Sequence, residues 1–180
     1  MKGPGRGKAS HVGLDDNGLN AVEGIADLVA ELRGLGRDVS GRSTELGISP
    51  PEAKASILLL GGESTGGVNF NVVPEVSTFT IDRRYNPEED RKTVLAEMVE
   101  VFESAKARGF GVEWEIFQDE PAADDPTDSP LAVALAENHE AVTGSRPRFE
   151  MCPGLLEIRF YSGTVPVVCY GPGVVSTMHG

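Results

Sequence analysis

Three histidines, at positions 11, 139 and 179, are the side chains of this sequence best suited to acid–base or metal chemistry near neutral pH. His11 stands at the end of a predicted strand. His179 follows a Gly-Pro-Gly loop after another strand, and α/β sheets commonly bind ligands at that position. His139 lies inside a predicted helix, where we expect a solvated or structural role. Neither a His-x-Asp nor a His-x-x-x-His spacing occurs, so the sequence predicts no complete zinc site within this chain.

Two arginines, Arg83 and Arg84, follow a predicted strand over residues 76–82, in which the side chains alternate between two faces. A guanidinium fork at the end of a strand suits a planar carboxylate or phosphate group. The alternative is that both arginines form ion pairs with nearby acidic residues. On this stretch alone, ion pairing is the favoured interpretation.

The cysteines and the paired glycines indicate no further chemistry. Cys152 and Cys169 are too few for a disulfide framework in 180 residues, and we interpret them as reduced, buried thiols. No local signature supports a Cys–His nucleophile pair. The paired glycines at 61–62 and 66–67 are not followed by Gly-Lys-Ser/Thr, so they do not match a phosphate-binding loop.

The overall composition is that of a globular protein, with 39% hydrophobic and 24% charged residues. A net charge of −12 argues against a nucleic-acid partner, because phosphates require a basic surface. No apolar run is long enough to cross a membrane, and no signal-peptide pattern occurs at the start. We therefore expect a cytoplasmic protein with no membrane partner.

Residues 1–118 predict the order strand, helix, strand, strand, helix, strand. The strands are expected over residues 8–12, 55–60, 76–82 and 112–116, and the helices over residues 20–35 and 87–108. Gly34 and Gly36 are expected to end the first helix, and Asn86 with Glu89 to form a capping box for the second. Each helix has one apolar face, which a four-stranded antiparallel sheet with both helices on one side would cover. The predicted fold class is therefore α+β, with a ferredoxin-like βαββαβ domain.

The acidic stretch 119–129, rich in proline and alanine, marks a predicted boundary. Beyond it the sequence predicts a helix over 130–142, a possible strand over 148–151, a short helix or turn over 155–161 and a strand over 165–170. Helices and strands alternate here as in α/β proteins, but so few elements make a thin core. We therefore predict two domains, residues 1–118 and an incomplete α/β segment over residues 119–180.

Six short motifs, taken together and in order, resemble one protein family. They are Gly-Lys-Ala-Ser-His at 7–11, Gly-Leu-Asn-Ala at 18–21, Asn-Val-Val-Pro at 71–74, Asp-Arg-Arg with Pro-Glu-Glu within 82–89, Arg-Phe-Tyr at 159–161, and Tyr-Gly-Pro-Gly at 170–173 with the closing His179. The family is the acetylornithine deacetylase / succinyl-diaminopimelate desuccinylase family of dinuclear zinc amidohydrolases. The resemblance implies a zinc-bearing α/β catalytic domain interrupted by a ferredoxin-like lid domain that also dimerises.

By this resemblance the chain is a fragment of an enzyme that cleaves the amide bond of a small anionic N-acyl amino acid. Residues 1–118 would be the lid, lacking the start of its first strand, and residues 119–180 would be the C-terminal part of the catalytic domain. Most metal ligands and the glutamate general base would lie outside the chain. The intact family enzyme holds two zinc ions per site, with cobalt as an alternative metal. We expect the fragment to bind no metal, to be inactive alone and to form a homodimer through the lid.

Six residues belong to the site that the resemblance implies: His11, Asn71, Arg84, Arg159, Gly173 and His179. His11 would reach across the dimer and hydrogen-bond the oxyanion that forms when zinc hydroxide attacks the amide. Asn71 would hold the substrate, and the two arginines would bind its carboxylate. Gly173 would let the backbone approach the substrate, and His179 would be a zinc ligand. The sequence Gly-Leu-Leu-Glu at 154–157 departs from the Gly-Gly-Thr-Asp that is common in the family, which weakens the assignment of Arg159.

A second hypothesis belongs to another class of protein. A ferredoxin-like module without catalytic activity could dimerise or bind a small ligand through its sheet. This hypothesis predicts no metal under any condition and no functional dependence on His11.

Overall fold

The computed structural model describes residues 1–13, 18–123 and 125–171. Within these ranges it contains four strands, three α-helices and two short 3₁₀ helices. The strands are β1 (Lys2–Arg6), β2 (Ile57–Gly66), β3 (Val76–Arg84) and β4 (Gly111–Val112), and the α-helices are α1 (Ala21–Ser40), α2 (Arg91–Ala107) and α3 (Pro130–Thr143). The 3₁₀ helices cover Pro51–Lys54 and Glu157–Phe160.

The chain divides into two compact units. The first comprises Met1–Arg42, Ser56–Tyr85 and Glu89–Asp119, and it contains the sheet with α1 and α2. The second comprises Ser43–Ala55, Asn86–Glu88 and Glu120–Gly180, and it contains α3 and both 3₁₀ helices. The first unit has the antiparallel strand order β2-β3-β1-β4, which confirms the predicted ferredoxin-like α+β fold.

The core of the first unit lies between the sheet and the two helices. Its buried members come from α1, α2 and the inward face of the sheet: Leu28, Leu32, Phe79, Ile81, Met98, Phe102, Ala105 and Val112. The Phe102 ring packs against Trp114, with 5.8 Å between the ring centroids. A second aromatic ring, that of Phe110, occupies a slot that exists because Gly5 and Gly24 have no side chain. The two glycines therefore fix how closely α1 approaches β1.

Helix α1 begins where the sequence predicted but ends later. Asn20 caps it, its Oδ1 accepting the backbone N–H of Val22 at 3.0 Å. The expectation that Gly34 and Gly36 end the helix was wrong, because α1 continues to Ser40. The extra turn buries Val39 completely, and that burial offsets the roughly 1 kcal/mol that each glycine costs within a helix.

The predicted start of α2 was also wrong. The helix begins at Arg91, and Asp90 caps it by accepting the backbone N–H of Thr93 at 2.9 Å. That hydrogen bond lowers the pKa of the Asp90 carboxyl. Asn86 does not cap α2, because its buried amide donates to the Lys54 carbonyl at 3.1 Å. Glu89 completes no capping box, because its carboxylate accepts hydrogen bonds from arginine side chains.

The strand boundaries differ from prediction at three places in the first unit. The first strand is β1 and not residues 8–12, where Lys8 and His11 form only isolated bridges. Strand β2 extends to Gly66 through a register shift after Leu60, where Gly61 has a positive φ of 74°. Strand β4 is only two residues long, although a further bridge joins residues 2 and 115.

The second unit confirms the predicted third helix. Ser129 caps α3 by accepting the N–H of Ala132 at 3.3 Å, and Gly144 ends it with a left-handed φ of 77°. The predicted short helix is the 3₁₀ turn Glu157–Phe160. Residues 165–170 do not form the predicted strand, and residues 148–151 contribute one bridge, from Ile48 to Met151. Among the described residues, the second unit contains no sheet with which these two segments could pair. No described helix is long and apolar enough to cross a membrane.

Candidate functional site

Two segments of the first unit run side by side as a short antiparallel ribbon formed by residues 7–13 and 71–75. The Val12 N–H donates to the Asn71 carbonyl at 3.0 Å, and the Val73 N–H donates to the Ser10 carbonyl at 2.8 Å. Lys8 exchanges two backbone hydrogen bonds with Leu19, just before α1. The backbone of three separate segments therefore positions the side chains of this ribbon.

His11 is an exposed polar residue of the ribbon, paired across it with Val72. Its ring Nδ1 accepts the backbone N–H of Gly13 at 3.1 Å. A neutral imidazole that accepts at Nδ1 carries its proton on Nε2. The contact therefore selects the tautomer in which His11 offers an outward N–H donor.

Asn71 and Ser10 have polar atoms that are buried. Asn71 Oδ1 and Ser10 Oγ find no hydrogen-bond partner among the described residues. A side chain at Gly18 would crowd the serine, because a Cβ there would lie 2.6 Å from Ser10 Oγ. Buried polar atoms are normally paired, so these two are free to bind water or a ligand group. The ribbon thus combines an outward donor on His11 with inward polar atoms on its neighbours.

Arg83 and Arg84 lie at the far end of β3 from this ribbon. The nine residues of β3 separate its ends by about 26 Å at roughly 3.3 Å per residue. Arg84 Nε donates to Asp82 at 3.0 Å, and Arg83 Nη2 donates to Glu89 at 2.6 Å. The ion-pairing interpretation is confirmed for both arginines. Within this unit, Arg84 is not brought together with His11 and Asn71.

A buried charge cluster, which sequence reasoning missed, surrounds Glu89. Its carboxylate accepts from Arg83, from Arg42 at 3.0 Å and from the Ser56 hydroxyl. Arg42 also forms two hydrogen bonds with Glu97. The hydrogen bonds to Glu97, and to a lesser extent the one to Glu89, raise the pKa of the Arg42 guanidinium. The side chains of Arg83 and Glu89 are only 7% and 13% exposed. No sequence spacing links these residues, because they come from five different elements or loops.

In the second unit, Arg159 lies within the 3₁₀ turn. Its Nη1 donates to the Leu156 carbonyl at 2.8 Å, its guanidinium lies 4.4 Å from the Phe160 ring centroid, and its Nε is buried without a partner among the described residues. His139 Nδ1 lies 3.0 Å from the Tyr170 hydroxyl, in agreement with a structural role. Gly173 and His179 lie outside the described residues.

The two cysteines and the acidic residues that the structure describes form no metal-binding group. Both cysteines are free thiols; Cys152 is half-buried and Cys169 is exposed. The expectation of a buried thiol was therefore wrong for Cys169, because its segment does not form the buried strand that was predicted. Among the described residues, no group of three or more His, Cys, Asp or Glu could hold a metal ion. These residues therefore do not fit the complete metal centre that the family resemblance implies.

Residues 3–109 match the peptidase dimerisation domain. The chain is 27% identical over 169 residues to a Mycobacterium tuberculosis protein named "Putative succinyl-diaminopimelate desuccinylase DapE", covering 92% of this chain and 41% of that protein. The chain thus spans about two fifths of the length of the curated relatives that it matches.

Solved structures share the fold. Aminopeptidase PepT from Bacillus cereus is 23% identical with a TM-score of 0.55, covering 85% of this chain and 37% of that one. A hydantoinase/carbamoylase family amidase from Burkholderia ambifaria is 20% identical with a TM-score of 0.58, covering 92% and 37%. At these identities the likeness concerns the fold alone. Because the domain match covers more than half of the chain, the protein belongs to the peptidase dimerisation domain family.

Proposed function

We propose that this chain is the lid and C-terminal segment of a metal-dependent amidohydrolase that cleaves the amide bond of an N-acyl amino acid. The observation that carries the proposal is the outward N–H donor of His11, whose tautomer is selected by the Gly13 backbone. The peptidase and desuccinylase names of similar proteins support the reaction class. Residues 1–118 act as the lid and residues 119–180 as part of the catalytic domain in a cytoplasmic enzyme.

The proposed role of His11 is to stabilise charge. When the carbonyl carbon of the amide is attacked, negative charge develops on the carbonyl oxygen, and a preorganised N–H donor aimed at that oxygen lowers the barrier. His11 Nε2 supplies this donor to the active site of the partner subunit. Asn71 contacts the same substrate from the ribbon, where its amide oxygen has no partner among the described residues.

The remaining assignments concern substrate and metal. Arg84 and Arg159 are proposed to bind the substrate carboxylate, and Gly173 to give its backbone room. Arg84 would do so in the subunit that receives His11 and Asn71 from its partner, because the two ends of β3 in one subunit are too far apart to meet one substrate. His179 is proposed as one ligand of the metal site. In the family that the chain resembles, this site holds two zinc ions. The described residues hold no such centre, so the other ligands would come from parts of a longer protein.

The proposed homodimer is formed through the exposed side of β2 and the adjacent face of α1. Strand β2 is an edge strand of ten residues, and Leu59 on it is 54% exposed. Val22, Ala26 and Ala30 form an exposed row of small apolar side chains on α1 at four-residue spacing. An unprotected edge with apolar side chains favours pairing with a second copy.

The dimer interface is tested with Leu59→Lys, since a lysine on an edge strand opposes strand pairing. Light scattering of the 180-residue chain should give a dimer, and the variant should be a monomer. Val142→Lys is the matched control, because Val142 is 87% exposed in the second unit. A monomeric unmodified chain, or equal dissociation in both variants, would remove support for this interface.

A non-catalytic dimerisation module is the second candidate, supported by the match of residues 3–109 to the peptidase dimerisation domain. This candidate could also bind a small ligand through its sheet, but the side chains on the open face of the sheet do not favour that role. Apart from Ile57 and Leu59 on β2, the open sheet face is polar and internally paired, through Lys2–Glu63 and a hydrogen bond of 2.6 Å between Thr65 and Thr78.

Hydrolysis assays separate the two candidates. The 180-residue chain alone should hydrolyse neither acetylornithine nor succinyl-diaminopimelate above a His179→Ala control. The longer protein in which we propose that it acts should hydrolyse N-acyl amino acids. There, His11→Ala should lower kcat by about a hundredfold to a thousandfold with little change in KM, because the donor acts mainly in the transition state.

The matched control is His139→Gln, which removes the other described histidine from a half-buried position on helix α3. Mixing His11→Ala subunits with subunits inactivated at a metal ligand should restore part of the activity, because the donor comes from the partner. Unchanged kcat in His11→Ala would reduce His11 to an ordinary ribbon residue and refute its proposed role.

A further inference from the structure

The turn that precedes the ribbon exposes two large apolar side chains. Val68 is 91% exposed and Phe70 is 97% exposed, whereas most large apolar residues of the first unit are buried or half-buried. Removing apolar surface from water is favourable, so a bare phenylalanine ring is poised to gain free energy from contact with a partner. Residues 67–73 contain no charged side chain. The surface that this turn presents is therefore apolar and neutral.

The turn is held in place by its own hydrogen bonds. The Phe70 N–H donates to Asn69 Oδ1 at 2.8 Å, and the Val72 N–H donates to the Asn69 carbonyl at 3.4 Å. Gly67 begins the turn with a positive φ of 71°, a conformation that glycine adopts at little cost. The Phe70 ring is thus presented on an ordered turn, and binding it would cost little backbone entropy.

The ribbon register places this ring near His11. Val72 lies opposite His11 in a pair flanked by backbone hydrogen bonds, and Cα atoms in such a pair are about 4.5 Å apart. Phe70 is two residues from Val72, which adds at most roughly 7 Å. The Cα atoms of Phe70 and His11 therefore lie within about 12 Å of each other, a separation that the two side chains and a bound N-acyl amino acid can span.

We propose that Phe70 is a specificity-determining residue that contacts an apolar group next to the scissile amide. This inference rests on the proposed function and narrows its substrate to N-acyl amino acids with an apolar acyl chain or an apolar side chain. A succinyl group is disfavoured at this contact, because a carboxylate would meet an apolar ring with no charged residue in the turn to pair with it.

The experiment measures kcat/KM of the longer protein with two substrate series. N-acetyl-, N-hexanoyl- and N-succinyl-L-alanine vary the acyl group, and N-acetyl-L-alanine with N-acetyl-L-leucine vary the side chain. Phe70→Ala should lower kcat/KM about tenfold or more for the apolar member of one series and leave N-acetyl-L-alanine nearly unchanged, since apolar contacts discriminate on this scale. The series that responds identifies the contacted group. Phe70→Leu should keep most of the kcat/KM of the unmodified protein for that substrate. Val142→Ala alters a similarly exposed apolar position and should not change kcat/KM in either series.

Each outcome separates this inference from the proposed function. If the unmodified protein hydrolyses none of the substrates, the proposed function fails and the inference fails with it. If the protein is active but Phe70→Ala lowers all substrates equally, or none, only the specificity role of Phe70 is refuted. If Phe70→Ala converts dimers to monomers in light scattering, the ring belongs to the subunit interface and the inference is likewise refuted.

Discussion

The charge cluster around Glu89 gives the sharpest test of what stabilises the first unit. Glu89→Gln keeps the size and hydrogen-bonding ability of the side chain but removes its charge. The Arg83 side chain is only 7% exposed, so its guanidinium then stays buried without its ionic partner Glu89. Arg42 keeps its two hydrogen bonds to Glu97, so the loss falls mainly on Arg83.

The size of the effect follows from burial. Removing one partner of a buried ion pair costs about 3–5 kcal/mol, because a charge stays buried without compensation. With a urea m-value of roughly 2 kcal/mol per M, a loss of about 3 kcal/mol lowers the unfolding midpoint by about 1.5 M. The matched control is Glu113→Gln, which breaks a bidentate pair with Arg6 in which both side chains are more than half exposed. Solvent screens that pair, so its midpoint should change far less.

The assay is urea unfolding followed by tryptophan fluorescence. Trp114 is the only tryptophan of the chain and packs on Phe102 in the core of the first unit, so its signal reports on that unit. Equal midpoint shifts for Glu89→Gln and Glu113→Gln would show that the buried Glu89 cluster contributes no more to stability than the exposed Arg6–Glu113 pair. A stabilising Glu89→Gln would show that the desolvation of the charges outweighs their attraction.

Three further predictions concern stability. Asn20→Ala should lower the unfolding free energy by about 1 kcal/mol through loss of the α1 cap, measured by thermal melting, whereas Asn20→Asp should retain most of it. Gly24→Ala should destabilise by about 1–3 kcal/mol despite the better helix propensity of alanine, because the new methyl group overlaps the Phe110 ring; a melting temperature at or above that of the unmodified protein would contradict that packing. The hydrogen bond from Arg91 lowers the pKa of the Asp119 carboxyl, so this pair stabilises the fold above the ordinary aspartate pKa and the contribution is lost as pH falls through the lowered value. The drop in melting temperature between pH 7 and pH 3 should therefore be smaller in Asp119→Asn, and an equal drop would refute the linkage.

Local signals predicted the elements that local chemistry controls. Helix α3 follows its Ser129 cap and Gly144 stop, and β3 follows its alternating pattern, because those signals act within a few residues. The start of α2 failed because Asn86 and Glu89, which look like caps, are engaged by distant parts of the chain. Tertiary contacts of this kind leave no trace in local sequence.

The sequence motifs singled out two residues of the ribbon but not the geometry of the ribbon. Motif order picked out His11 and Asn71, and the structure brings both into one ribbon. The Gly13 contact that selects the His11 tautomer depends on a backbone turn that the sequence does not specify. Likewise, the near-complete exposure of Phe70 follows from where the ribbon ends, since an apolar residue in a glycine-rich turn could equally well have been buried.

The position of β1 in the middle of the sheet sets an order in which the first unit can fold. Lys2 pairs with Thr80 and Gly5 with Val112, so the partners of these two residues lie 78 and 107 residues later in the chain. The β2–β3 hairpin has far shorter loops to close and can form early, whereas β1 must wait for β4 before its second edge is covered. During synthesis the first strand therefore leaves the ribosome long before its partners do, and its unpaired edge is open to association with other chains in the meantime.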